Sequence, residues 1–142
     1  MRIKLAVITV ALLVAMPEAP AKDVDGEFAV FSVGGKRCEE YLRARHGGGR
    51  AQHDFTTWLQ GYLSAFNLIV PNTYDILGNR EFDKVVQWLD NHCTENREAS
   101  FVNATALLTI NLFPERKNIA PNKDNRAKWS GGTQPAKADS AK

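Results

Sequence analysis

The chain has 142 residues, enough for one domain of ordinary size and not for a second sizeable core. Its net charge of +2 hides an asymmetry. Residues 1–21 carry +1, residues 22–114 carry nine Lys/Arg against twelve Asp/Glu, and residues 115–142 carry seven against three. A nucleic-acid-binding domain places a basic face on its folded part, so an acidic domain followed by a basic tail argues against that class.

Arg2 and Lys4 give a short positive start, and Leu5–Met16 is an apolar stretch too short to cross a bilayer, which takes about 20 residues. Ala19-Pro20-Ala21 then presents small residues at the positions a signal peptidase reads. Residues 1–21 are therefore expected to be a signal peptide cleaved after Ala21. The product would be soluble, in the periplasm or outside the cell, with no stable membrane insertion. In that oxidising space the two cysteines, Cys38 and Cys93, read as one structural disulfide. It would close a 55-residue separation, worth about 4 kcal/mol in the chain-entropy account. No Cys-x-x-Cys is present, which argues against a redox enzyme.

The expected mature domain, 22–114, opens with an extended lead-in over 22–33 that Gly34-Gly35 interrupts. A first helix fits Lys36–His46, with Cys38, Tyr41 and Leu42 at the i, i+3, i+4 spacing of one inward face, and Gly47-Gly48-Gly49 stops it. The second fits Gln52–Val70, where Phe55, Trp58, Leu59, Tyr62, Leu63, Phe66, Ile69 and Val70 form one broad stripe and Pro71 ends it. Gly61, Ser64 and Ala65 are small enough to admit a neighbouring helix. The third fits Asn79–His92, its stripe of Phe82, Val85, Val86 and Leu89 continuing to Cys93. The fourth fits Ala99–Phe113, with Ser100 as N-cap, Phe101, Ala104, Leu108 and Leu112 facing inward, and Pro114 just beyond. After Pro114 the apolar signal collapses, and 115–142 reads as a disordered basic tail. The fold class expected is all-α: a small four-helix domain with one disulfide, a leader before it and a tail after it.

Candidate chemistry is sparse. His46, His53 and His92 fall on three separate segments, unlike the close spacing of zinc ligands, so neither a metal nor another cofactor is expected. No serine sits in a nucleophile elbow, and the adjacent carboxylates Glu39-Glu40 and Glu81 with Asp83 point different ways on a helix. No catalytic residue is assigned and an enzyme is not expected. Asn103-Ala104-Thr105 matches a glycosylation sequon inside an expected helix and is set aside. Arg43, Arg45, His46 and Arg50 surround the glycine run and would suit an anion, although basic residues also belong at a helix C-terminus. Trp58, Tyr62 and Phe66 read as core, whereas Trp88 lies off the stripe of the third helix. Trp88, Arg43, Arg45 and Arg50 are the candidate partner-binding residues.

Cys38-Glu39-Glu40-Tyr41-Leu42, then Trp58-Leu59-Gln60-Gly61-Tyr62, then Cys93 and a closing amphipathic helix together resemble the HdeA-type periplasmic acid-stress proteins. The layout also resembles the small periplasmic immunity proteins that neutralise secreted effectors. The resemblance covers 30–112; the glycine run and the basic tail depart from the acid-stress pattern. It implies a chaperone-like, stress-response protein that loosens in acid and holds unfolding clients, with Glu39, Glu40, Asp54, Glu81, Asp83, Asp90 and Glu95 as the carboxylates that protonate. The alternative implied is a rigid immunity-type protein binding one specific partner at neutral pH, through Trp88 or the loop at Gly47.

Overall fold

A computed structural model describes residues 27–122, which hold four helices and, among those residues, no strand. The leader and cleavage site, and positions 123–142 of the expected tail, lie outside the described residues. The helices are α1 (Cys38–Gly47), α2 (Gly49–Ile69), α3 (Phe82–Glu95) and α4 (Phe101–Leu112). Single 3-10 turns at Ser32–Gly35 and Phe113–Glu115 flank the set. The first lies in the stretch expected to be extended. It is fixed by tertiary contact: Gly34 is buried against the Trp58 indole, which leaves no room for a Cβ. The Trp58 Nε1–H donates to the Phe31 carbonyl at 2.9 Å.

The glycine run does not separate α1 and α2 as widely as its composition suggests. Gly47 completes α1 and Gly49 starts α2, so Gly48 alone lies between them. Gly48 and Gly49 both have φ near +67°, a region that costs an L side chain energy and glycine almost none. The chain thus reverses within a residue, and α1 and α2 pack as neighbours.

α3 starts at Phe82, three residues later than expected, because 71–80 are held as a turn that the helix cannot invade. Asn67 in α2 accepts the Ile76 amide at 2.8 Å, and Asp75 caps the Leu77 amide at 3.0 Å. Asp75 also forms an antiparallel bridge with Lys117. Arg80 reaches Glu115 through two hydrogen bonds of 3.2 and 2.8 Å. Residues 115–117, expected to begin the tail, are therefore held against the fold.

The core forms where the inward faces meet. Phe101 is fully buried at the start of α4, with its ring centroid 4.7 Å from Tyr41, 5.0 Å from Phe55 and 5.6 Å from Trp58. Leu59, Leu89, Leu108, Leu112 and Ile76 fill the space around this aromatic hub. Ile76 was not expected there; the Asn67 bond turns its segment inward. The Cys38–Cys93 disulfide joins α1 to α3 with both residues fully buried. Beside it the Cys38 amide donates to Ala99 and the Phe101 amide to Lys36, fastening the start of α1 to the α3–α4 turn. Ser100 caps α4 as expected, accepting from the Asn103 amide at 3.4 Å.

α2 and α4 run parallel. Trp58 meets Phe101, Tyr62 bonds Thr109, and Phe66 meets Phe113, so contacts advance together along both helices. Ile69, placed by its spacing on the inward stripe of α2, is instead exposed. It stands one turn beyond Phe66, at the last helical residue, where no neighbour covers it.

Candidate functional site

Three surface features carry the chemistry available on the described residues. The first surrounds Asp90 on α3. Its carboxylate accepts from the Tyr41 hydroxyl at 2.7 Å and from Arg45 Nε and Nη2 at 3.0 and 2.9 Å. The bidentate fork fixes Arg45, so this arginine is committed to tying α1 to α3 and is not free to take an anion or a partner. Burial raises the Tyr41 hydroxyl well above its ordinary range, and the bond to Asp90 adds to it. Burial would raise the Asp90 carboxyl too, but the bonds from Arg45 and Tyr41 outweigh it and hold the group below its ordinary value of 3.8. A small cleft beside this network is lined by Leu42, His46, Asn91 and Thr94.

The second feature is a cleft of about 420 Å³ at the corner of α1 and α2. Val33, Ala44, Ala51 and Phe55 give it an apolar floor, Gly47 and Gly48 form part of its wall, and Lys36, Glu40 and Arg43 stand on its rim. Lys36 pairs with Glu40 at 3.3 Å, and Glu40 also takes the Arg37 amide, the main cause of its lowered pKa. Arg43 makes only a long contact of 3.6 Å with Glu39 and its side chain is 73% exposed. It is the cation here with most freedom to meet a ligand.

Of the expected partner-binding residues, the structure leaves Arg43 on this rim, assigns Arg45 to Asp90, and places Arg50 exposed in the first turn of α2 outside the cleft lining. Arg43, Arg45 and Arg50 therefore do not converge on one anion site. Trp88 is partly buried and stacks flat on His92, 5.1 Å between ring centroids, which leaves it a small edge rather than a face. Among the described residues no three His, Cys, Asp or Glu gather as a metal site, and no cysteine is unpaired.

The third feature escaped the reading by spacing. Leu107 and Ile110 lie on the outer face of α4, 48% and 69% exposed, beside Phe113. Neither 55–74, which spans most of α2, nor 99–114, which spans α4, contains an Asp, Glu, Lys or Arg, in a chain that is 24% charged. That run of uncharged residues was the available signal. It was hidden because an inward stripe and an outward one on the same helix blur into general hydrophobicity.

No helix among the described residues is long and apolar enough to cross a membrane. No protein-family model matches the chain, and neither a curated protein nor a solved structure is significantly similar to it.

Proposed function

We propose that this chain is an exported, non-enzymatic protein that binds one protein partner at neutral pH, in the manner of an immunity-type protein. The observation that carries this reading is the α1–α2 cleft, an apolar recess with an under-used arginine at its mouth that exists in the compact state and needs no loosening to be reached. The chemistry that suits it is an apolar anchor residue next to a carboxylate, the anchor on Ala51 and Phe55 and the carboxylate on Arg43. Export by residues 1–21 is part of the proposal, supported by the leader-like sequence and by a buried disulfide that an oxidising compartment maintains. Tagged protein recovered from the periplasm at neutral pH should carry one stable partner. Arg43→Glu and Ala51→Asp should each weaken that complex while circular dichroism stays unchanged. A complex indifferent to both substitutions rejects the cleft.

A second reading, the HdeA-type one, is favoured by a different observation. Asp90 ties α1 to α3 and Glu115 ties the end of α4 to the 71–80 turn, each through an arginine. Acid removes both ties and turns the domain strongly positive, which favours expansion and exposes apolar helix faces. Light scattering of a model client at about pH 2–3 tests it, since a chaperone-like protein suppresses the aggregation and an immunity-type one leaves it unchanged.

A further inference from the structure

We propose that two copies of the chain pair through the outer face of α4, flanked by the end of α2, in a symmetric contact independent of the α1–α2 cleft. The first support is spacing. Asn103, Leu107, Ile110 and Pro114 are all exposed and follow one another at steps of 4, 3 and 4. That is the heptad seam by which one helix packs along another, and here it points away from every element of its own chain. The inward face of α4 is already taken by α1 and α3.

The seam suits a copy of itself. With a two-fold axis between Leu107 and Ile110 and the helices antiparallel, each Leu107 packs on the Ile110 of the other copy, and Asn103 meets Pro114 at the ends. Ile69 and Phe113 then lie at the flank, 73% and 36% exposed in the single chain. Gly61 and Ala65 face outward on the neighbouring helix, with nothing within 4 Å of a Cβ built at Gly61. This is the close-approach surface expected from the small residues of α2, and no helix of its own chain uses it.

Charge selects the same occupant. A partner chosen by electrostatic complementarity needs charges to read, and 55–74 and 99–114 offer none. A second copy presents the same uncharged surface, so pairing buries no unpaired ion and brings no like charges together. Charge depletion of this kind also marks the cores of protein interfaces.

The area is adequate but small. At 1.5 Å rise per residue α4 is about 18 Å long, and two helices side by side are about 20 Å wide. Such a face buries on the order of 500–600 Å² per copy, the low end for a stable pair, so a micromolar dissociation constant is expected.

Sedimentation equilibrium of the purified protein over roughly 1–200 µM reads the prediction directly. The expected result is a monomer–dimer equilibrium that Ile110→Asp weakens at least about a hundredfold and Arg43→Glu leaves unchanged. Ile110 is an exposed position, so the variant should keep its helical circular dichroism, and the dimer should persist as salt is raised. A wild-type chain monomeric throughout, a dimer indifferent to Ile110→Asp, or one that dissociates in salt would each overturn the assignment. The outcome with Arg43→Glu separates this face from the cleft: a hetero-complex lost in that variant with the dimer intact leaves both proposals standing.

Discussion

Replacing Asp90 tests whether the α1–α3 tie outside the disulfide contributes to stability. Tyr41 is 2% exposed, and Asp90→Ala leaves its hydroxyl without its acceptor, which costs about 1–3 kcal/mol. The Arg45 fork adds less, about 1 kcal/mol, because both side chains keep 27–31% of their exposure and solvent screens the pair. The expected loss at pH 7 is therefore about 3 kcal/mol for Asp90→Ala. Asp90→Asn should lose less, about 1–2 kcal/mol, since its amide oxygen still accepts from Tyr41. The folded carboxyl lies below its ordinary value of 3.8, so its stabilisation is complete above that value and fades as pH falls through the lower folded value. Urea titrations followed by circular dichroism, with the disulfide kept oxidised, should show the gap between wild type and Asp90→Asn narrowing below pH 3.8. A loss under about 0.5 kcal/mol for Asp90→Ala, or a gap that stays constant to about pH 2, would refute the reasoning.

Removing the disulfide with paired Cys38→Ala and Cys93→Ala should cost about 4 kcal/mol, given the 55-residue separation, and lower the urea midpoint accordingly. Gly34→Ala should cost about 1–3 kcal/mol, because the new methyl group collides with the Trp58 ring; the Trp58 indole N–H resonance, bonded to Phe31 in the wild type, should move. Asn67→Ala should cost about 1–2 kcal/mol by orphaning the amide of fully buried Ile76, and hydrogen exchange at that amide should speed up.

Periodicity and punctuation in the sequence were enough to determine that the domain is all-helical, that Cys38, Leu89, Cys93, Phe101 and Leu108 face inward, and that Ser100 starts the last helix. These are local consequences of the 3.6-residue repeat and of capping chemistry, which act whatever surrounds them. What lay beyond reach depended on contacts between distant segments. The 3-10 turn at 32–35 exists because Gly34 fits under Trp58, and Ile76 is buried because Asn67 holds its amide. The same holds at the candidate sites. Arg43, Arg45 and Arg50 look equivalent along the chain, and only the position of Asp90 across the α1–α3 interface separates a structural arginine from a free one. The outward seam of α4 was present in the residues all along, but a stripe becomes a surface only when the rest of the fold has claimed the opposite side of its helix.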